Sequence, residues 1–408
     1  MYNIFEKFGI ELEYMIVAKD TLKVLPISDK LIKKACGSVR NEIAQGKISW
    51  SNELVLHVIE LKTTEPVCSL HGISELFHNN ILHVQSLLDS FNGLLLPGPM
   101  HPFMDPSTEM HLWPHDYNPI YQAFNSVFGC KGHGWANLQS MHINLSFAND
   151  EEFCRLHAAI RLILPLIPAL CAGSPVADGK ITGYKDTRME VYRNNSVKIP
   201  SITGDVIPEP VFSSAEYKRH ILQKIYRDLQ PYDSEKTLQE EWVNARGAIA
   251  RFERNSIEIR VIDVQETPFA DIAIAAAVIG AIRMMADERF CSLHEQKSWH
   301  AAPLKEIFLR TIKDGENAII DDSRFLSAMG LNTTCSAGQL WRYLIEQLQD
   351  YDKQWITPFL PMLDLIFSDG TLSSRILKSL GEKPGLEQII KTYRAIGESL
   401  LTGSIFRS

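Results

Sequence analysis

The sequence has no apolar run long enough to cross a bilayer. Its longest apolar run, residues 272–282, falls well short of the ~20 residues that a membrane-spanning helix needs. The first residues show no basic segment followed by an apolar one, so we expect no secretory signal. With 41 Lys and Arg against 49 Asp and Glu, the 408-residue chain carries a net charge of −8. That charge argues against a protein that coats nucleic acid or an anionic membrane. We therefore expect a cytoplasmic protein with neither a nucleic-acid nor a membrane partner.

Several motifs of well-known sites are also absent. The 7 cysteines are widely spread without a C-x-x-C pair, which predicts reduced thiols that mostly pack in the interior. The chain contains no zinc knuckle, Walker A loop, G-x-G-x-x-G or G-x-S-x-G. If the protein binds a nucleotide, it does so without a glycine-rich phosphate loop.

What is present is a mixture of strand and helix patterns followed by a helical C-terminal third, which predicts an α+β fold. The predicted strands are 8–18, 50–63, 141–147 and 250–264, the last being a single strand or part of a hairpin. The predicted helices are 72–91, 150–171, 215–229, 269–287 and most of 303–401. Two long irregular segments, 96–118 and 174–210, separate these elements. We expect a catalytic domain at 1–300 and a helical region at 301–408 packed on it.

Three of the predicted strands place polar side chains two residues apart, and therefore on one face. These residues are Glu11 and Glu13, then His142, Asn144 and Ser146, then Glu258 and Arg260. A solvated sheet face is the simpler interpretation of any one strand. Carboxylates this close together repel one another, however, unless a cation lies between them. Mg²⁺ prefers oxygen ligands and commonly bridges protein carboxylates to substrate phosphates, so the set favours a metal site.

Glu53 and Glu60 add two carboxylates to the second predicted strand. Their spacing of seven is odd, so an uninterrupted strand would place them on opposite faces. Both residues can face one site only if a β-bulge intervenes or if Glu53 lies before a bend.

Five motifs in order resemble the glutamate–cysteine ligase type 2 family, also called carboxylate–amine ligases. They are GIELE at residues 9–13, E-x6-E-x2-T from Glu53 to Thr63, H-x-N at His142, SP-x3-G-x3-GY-x3-R ending at Arg188, and EIR-x2-D-x-Q from Glu258. The resemblance extends from about residue 8 to residue 286. It implies a glutamine-synthetase-like antiparallel sheet shaped as a funnel, surrounded by helices, with metal ions at its centre.

The same resemblance implies an ATP-dependent ligase. The γ-carboxylate of an amino acid, with glutamate as the expected donor, would be phosphorylated, and an amine such as that of cysteine would then attack the acyl phosphate. Phosphoryl transfer depends mainly on charge neutralisation, which two or three Mg²⁺ ions, or Mn²⁺ in their place, would supply. Partners would be small molecules, and homo-oligomerisation is left open.

The resemblance also assigns roles to residues. The metal ligands it implies are Glu11, Glu13, Glu53, Glu60, His142 and Glu258. Glu60 and Arg260 would be catalytic, with Arg260 stabilising the transferring phosphate; a structural ion pair to a nearby glutamate is the alternative for Arg260. His142 has the alternative of a structural or adenine-side role.

A further group of residues would contact the substrates. Arg188 resembles the arginine that clamps the substrate carboxylate, a role that suits the guanidinium geometry. Tyr192 would contact the substrate, with Arg193 as a second candidate because the register of this loop is uncertain. Thr64, next to Thr63, would orient a ligand or metal-bound water.

Three segments depart from the family pattern. Residues 174–188 (SPVADGKITGYKDTR) lack the aromatic and the arginine that many family members carry after SP, and residues 100–115 and 129–140 do not match the well-known glutamate–cysteine ligases. In segment 100–115, His101, His111 and His115 are expected to line a substrate pocket rather than to bind a second metal.

Other functions stay open besides the ligase. The alternatives are an ATP-dependent phosphotransferase of the same fold, a metal-dependent hydrolase and a catalytically silent homologue.

Overall fold

A computed structural model describes residues 2–407. Twelve strands occur in that part of the chain: β1 (Phe8–Ala18), β2 (Glu42–Gln45), β3 (Ile48–Asn52), β4 (Val58–Thr63), β5 (Gly93–Leu96), β6 (Ser140–Ser146), β7 (Val176–Ala177), β8 (Lys180–Ile181), β9 (Ala248–Arg251), β10 (Ser256–Asp263), β11 (Ile319–Ile320) and β12 (Cys335–Ser336). Eight of these form one antiparallel sheet in the order β2-β3-β4-β1-β6-β10-β9, with β5 pairing the last part of β1. The remaining four form two short hairpins, β7-β8 and β11-β12.

Helices surround this sheet. In residues 2–407 they are α1 (Ser28–Cys36), α2 (Ile73–Leu88), α3 (Pro106–Glu109), α4 (Asn118–Phe128), α5 (His133–Ala136), α6 (Asp150–Ile163), α7 (Pro168–Cys171), α8 (Thr187–Tyr192), α9 (Ser214–Tyr217), α10 (Gln223–Leu229), α11 (Pro268–Ala286), α12 (Leu293–Lys297), α13 (Ala301–Asp314), α14 (Ser323–Ala328), α15 (Ala337–Tyr351), α16 (Lys353–Ile356), α17 (Leu360–Asp369), α18 (Leu372–Leu380) and α19 (Leu386–Thr402). The predicted α+β class is confirmed.

The apolar face of the sheet is the core. Ile10, Leu12 and Tyr14 of β1 are completely buried, whereas the alternate residues Glu11 and Glu13 point to the other face. α11 lies among α2, α6, α15 and α17, which explains why apolar residues occupy nearly every side of this helix. α11 is also the one described helix long and apolar enough to cross a membrane, and 89% of its apolar window is buried inside the protein.

Several predicted elements have different bounds in the structure. The predicted strand 50–63 is wrong as one element, because β3 and β4 form a hairpin there. The predicted strand 250–264 is likewise the hairpin β9–β10, the second of the two arrangements considered. The predicted helix 150–171 is interrupted between α6 and α7 by a 3₁₀ turn that contains Pro165, because proline cannot continue an α-helix hydrogen-bond ladder.

The C-terminal helices pack directly on the sheet region. α15 and α17 contact α11, and α19 contacts β5 and α2. A fully buried ion pair joins Arg375 of α18 to Glu266, and the Arg375 guanidinium also donates to the carbonyl oxygen of Phe406 at 2.7 Å. The helical region from residue 301 onward is thus tied to the strand-bearing part, while the division at residue 300 stays a prediction.

Candidate active site

The strand register brings the predicted carboxylates together. Residues directly opposite in an antiparallel pair lie on the same face of the sheet. Glu13 of β1 pairs with Glu60 of β4, and Glu11 of β1 pairs with His142 of β6. Asn144, two residues along β6, pairs with Glu258 of β10. These four strands therefore form an acidic floor, which we define as Glu11, Glu13, Glu60, His142 and Glu258. The acidic floor lines a cavity of about 520 Å³.

The β3–β4 hairpin explains the odd spacing of Glu53 and Glu60. Glu60 lies opposite Ser51 in β3, and Glu53 follows the last residue of that strand. Glu53 therefore lies before a bend, as one of the two predicted arrangements required, and it also lines the cavity.

A β-bulge in β10 lies between Glu258, whose face of the sheet lines the cavity, and Asp263. Ile259 pairs with Ile143 and Ile262 with Met141, so Arg260 and Val261 both lie opposite the single residue His142. The extra residue moves Asp263 onto the same face as Glu258, although five positions separate them. The Arg260 Nε donates to Glu258 Oε1 at 2.6 Å, and Arg260 also lines the cavity.

The acidic floor is connected by hydrogen bonds. His142 Nδ1 lies 3.1 Å from Glu11 Oε2, and the other ring nitrogen lies 2.8 Å from the Ser140 hydroxyl. The Asn144 amide donates to Glu11 Oε1 at 3.0 Å, while the Ser140 backbone N–H donates to a Glu13 carboxylate oxygen at 2.8 Å. These contacts fix the orientation of both β1 carboxylates.

Burial and neighbouring charges shift the pKa values of several groups in the site. Burial and the neighbouring Glu11 raise the pKa of Glu60 to about 7, against the effect of Lys62. Burial, Glu60 and Glu13 raise the pKa of Glu53 well above its usual range. His142 has the opposite character: burial disfavours its charge, but Glu11, Glu13 and Glu258 together raise its pKa to about 9. Without a cation between them, burial and mutual repulsion thus disfavour the charged forms of Glu53 and Glu60.

The donor set fits divalent cations. The ligand atoms of Glu11, His142 and Glu258 lie within 4.8 Å of one another, and so do those of Glu13, Glu60 and His142. Carboxylate oxygens are the ligands that Mg²⁺ and Mn²⁺ prefer, and a cation would relieve the repulsion that raises the pKa of Glu60. Glu53 belongs to neither group and lies at the edge of the acidic floor.

Arg188 lies in the cavity lining but is firmly held from behind. Its Nε forms a fully buried ion pair with Asp263, whose other carboxylate oxygen accepts from the backbone N–H of Gly173 at 2.8 Å and from the Ser174 hydroxyl at 3.1 Å. The Arg188 terminal nitrogens lie 3.3 and 3.4 Å from the carbonyl oxygen of Arg260. Tyr192, one turn along α8, also lines the cavity.

Two of the predicted substrate residues lie outside the cavity lining. Arg193 forms a bidentate pair with Glu190, at 2.7 and 2.9 Å. The Thr64 hydroxyl lies 3.0 Å from the Ser49 hydroxyl and donates to the carbonyl oxygen of Gly46 at 3.1 Å, beside the β2–β3 turn. Both residues have structural partners in these positions.

The prediction that histidines of segment 100–115 line the substrate pocket is wrong. The cavity lining includes neither His101 nor His111 nor His115. His101 is buried against the carbonyl oxygen of Leu22 at 2.7 Å, and His115 lies 3.1 Å from Asp29. Within residues 2–407 these histidines belong to neither metal-capable group.

One component of the cavity was missed by the sequence analysis. Six aromatic side chains line it; apart from Tyr117 and the predicted Tyr192, they are Tyr121, Phe124, Trp135 and Trp242, which we call the aromatic wall. The ring centroid of Phe124 lies 5.3 Å from that of Trp135 and 5.5 Å from that of Trp242. Two members lie on α4, where Pro119 near the helix start and apolar residues spaced three and four apart are a recognisable helix pattern.

The fold and the clustered carboxylates define a glutamine-synthetase-like protein. Residues 7–388 match the Glutamate-cysteine ligase family 2 (GCS2). The chain therefore belongs to this family, whose members are ATP-dependent carboxylate–amine ligases. The predicted family is confirmed, and so is the predicted glutamine-synthetase-like sheet.

Individual relatives agree with this assignment. An uncharacterised protein of Archaeoglobus fulgidus is 38% identical over 280 residues, which are 69% of this chain and 75% of the relative. A putative glutamate–cysteine ligase 2 of Roseiflexus castenholzii is 32% identical over 110 residues, 24% of this chain and 27% of the relative. Among solved structures, the glutamate–cysteine ligase of Francisella tularensis in complex with AMP superposes with a TM-score of 0.67 at 14% identity, covering 97% of this chain and 89% of that one. At that identity the superposition shows a shared fold.

Proposed function

We propose that the protein joins the γ-carboxylate of glutamate to an amine such as that of cysteine, in a reaction that consumes ATP and requires Mg²⁺. The acidic floor carries this proposal. Four carboxylates and His142 line one face of the sheet, and burial and mutual repulsion raise the pKa of Glu60. A site of this kind is suited to holding cations beside the phosphates of a nucleotide.

Each cavity residue has a part in the proposed reaction. Arg188, fixed by Asp263, would bind the carboxylate of the amino-acid substrate, because its fork matches a carboxylate. Arg260 would interact with the transferring phosphoryl oxygens, although its Nε is already used by Glu258. The acidic floor would hold two or three Mg²⁺ ions, which neutralise phosphate charge during transfer.

The proposed chemistry has two steps. A γ-carboxylate oxygen attacks the γ-phosphorus of ATP, the bond to the β-phosphate oxygen breaks, and ADP leaves. The amine nitrogen then attacks the carbonyl carbon of the acyl phosphate, inorganic phosphate leaves with the bonding electron pair, and the nitrogen loses a proton. The net products are an amide, ADP and phosphate.

Hydroxylamine provides a test that does not depend on the identity of the amine, because it traps acyl phosphates as hydroxamates. Purified protein with ATP, Mg²⁺ and glutamate should release ADP and form the γ-hydroxamate when hydroxylamine is added. Cysteine and other amines, offered in place of hydroxylamine, should raise ADP release and give an amide of the expected mass. Chelation of the metal with EDTA should abolish both products. ADP release that does not depend on any carboxylic acid would contradict the proposal.

A further inference from the structure

The aromatic wall lines the same cavity as the acidic floor, and three of its four rings pack together, because Phe124 contacts both Trp135 and Trp242. Phe128 lies behind the cavity lining, with its ring centroid 5.5 Å from that of Phe124 and 5.2 Å from that of Trp135. Phe124 is buried, whereas Trp135 and Trp242 are half-buried, so part of their surface remains accessible within the cavity. Aromatic side chains offer large surfaces for flat or apolar groups.

The wall is anchored to the substrate side of the site. The Asn195 side-chain amide donates to the carbonyl oxygen of Gly134 at 2.6 Å, which fixes the residue before Trp135. Lys198 donates to the carbonyl oxygen of Val127 at the end of α4, at 2.6 Å. Both donors follow α8, the helix that carries Arg188, so the wall and the arginine are positioned by one segment.

At one end the wall meets the acidic side of the cavity. The Asn52 side-chain amide donates to the Tyr121 hydroxyl at 3.0 Å and to the carbonyl oxygen of Glu53 at 3.1 Å. A ligand that packs on the wall can therefore extend toward carboxylates. Rings next to carboxylates complement a molecule with an apolar body and a cationic end, because both attract an ammonium group.

We propose that the aromatic wall binds the amine acceptor, and that this acceptor is a primary amine carrying an aromatic ring. This inference rests on the proposed function and names the substrate class of its second step. The side chain of cysteine is too small to cover several rings, so most of the wall would stay wetted. A ring-bearing amine buries that surface and directs its nitrogen toward the acidic side. The adenine ring of ATP could also stack on the wall, because it is flat. It is uncharged, however, and therefore does not complement the neighbouring carboxylates.

The test compares amines that differ only in the ring. Phenethylamine and ethylamine are offered with ATP, Mg²⁺ and glutamate, and kcat/KM is measured for each alongside cysteine. We expect a preference of about 10- to 100-fold for phenethylamine, from the apolar area and the ring stacking gained. Equal use of phenethylamine and ethylamine, or a preference for cysteine, would overturn the inference.

Variants show whether the preference arises at the wall. Trp135→Ala should reduce the preference for phenethylamine about 10-fold, while Trp135→Phe should retain most of it. Hydroxamate formation is measured in both variants as the reference reaction, because hydroxylamine is too small to cover the wall. Phe359→Ala is the matched control, since Phe359 lines a different cavity. If Trp135→Ala instead raises the KM for ATP in the hydroxylamine reaction, the wall holds adenine and the inference is wrong.

Binding separates a failure of this inference from a failure of the proposed function. Calorimetry of phenethylamine and ethylamine with protein that contains Mg²⁺ and a non-hydrolysable ATP analogue needs no turnover. Preferential binding of phenethylamine that is lost in Trp135→Ala supports the inference, even if no hydroxamate forms and the proposed reaction is thereby refuted. Hydroxamate formation without preferential binding would leave the proposed function standing and would overturn the acceptor class.

Discussion

The acidic floor and the aromatic wall line one cavity, but different parts of the fold hold them in place. Each residue of the floor lies on a strand of the central sheet, and its neighbours across the strands determine its position. The wall lies on α4, on the short α5 and on the turn before β9, with side-chain hydrogen bonds as its main anchors. Substitutions outside the sheet should therefore leave the position of the acidic floor unchanged. Substitutions in the aromatic wall should alter the wall without disturbing the sheet.

The largest expected effect comes from removing one charge of the floor. Glu60→Gln keeps an acceptor for the Ser51 hydroxyl but removes a carboxylate from one metal-capable group. We expect glutamate-dependent ADP release to fall by about 1,000-fold or more, because phosphoryl transfer relies on charge neutralisation. Glu65→Gln, an exposed change just beyond β4, should retain full activity.

The same variant has a second readout. Because burial and Glu11 raise the pKa of Glu60, its carboxylate is destabilised in protein without metal. The melting temperature of metal-free Glu60→Gln should therefore equal or exceed that of the unchanged protein at pH 8, whereas Mg²⁺ should raise it less. A lower melting temperature without metal would indicate that Glu60 stabilises the fold rather than the reaction.

A smaller but still large effect is expected when Asp263, the buried partner of Arg188, is removed. Asp263→Ala leaves the Arg188 guanidinium buried without its partner, which should lower the free energy of unfolding by about 3–5 kcal/mol. Thermal and urea unfolding would measure the loss. Asp321→Ala removes an exposed partner of Arg310 and should leave the melting temperature nearly unchanged. Similar losses in the two variants would contradict a scaffold role for Asp263.

The difference between floor and wall also decides what could be predicted from the sequence. Strand alternation alone places Glu11 with Glu13 and Glu258 with Arg260, because the period of two is a local property. The hairpin at residues 53–57 and the bulge at Arg260 are not local, since they depend on which strands pair. The wall combines residues more than a hundred positions apart, Tyr121 and Trp242, so no spacing rule connects them.

The prediction for the histidines of segment 100–115 was wrong because it used residue type without knowledge of the fold. Three histidines near one another suggested a substrate pocket, yet His101 is buried beside Leu22 and His115 pairs with Asp29. Thr64 and Arg193 lie outside the cavity lining, and their substrate roles stay predictions. Their roles came from motif neighbours, and a shift of one position along a strand or loop is enough to turn a side chain away from the site.

An intermediate effect should separate the wall from the floor. A methyl group at Gly134 would collide with the Asn195 side-chain oxygen, so Gly134→Ala should displace Trp135. We expect kcat/KM for phenethylamine to fall about 10-fold while hydroxamate formation is retained. Gly132→Ala is a matched control two residues away, because nothing lies within 4 Å of the added methyl group. Equal loss of both activities in Gly134→Ala would mean that wall and floor are not separable.

The smallest expected effect is a pH dependence of stability that arises from two buried histidines, His57 and His101. The His57 Nε2–H donates to the carbonyl oxygen of Ala136, the last residue of α5, at 2.8 Å, so this ring nitrogen must carry the proton. Burial lowers the pKa of both His57 and His101 to about 4. The unfolded chain binds these protons near pH 6.5, so each of the two histidines should lower stability as pH decreases from about 7 toward 4, by about 1 kcal/mol at pH 5.5. The raised pKa values of Glu60 and His142 act in the opposite direction over this range, so the contribution of a histidine is measured by comparing variants.

Melting temperatures at pH 7.5 and 5.5 measure this dependence. His57→Gln removes one of the titrating rings while keeping an N–H donor for the Ala136 carbonyl, so the change from pH 7.5 to pH 5.5 should be less destabilising in this variant than in the unchanged protein. His71→Gln changes an exposed histidine and should show the same change in melting temperature between the two pH values as the unchanged protein. If His57→Gln also shows the same change in melting temperature as the unchanged protein, His57 does not contribute to the acid sensitivity.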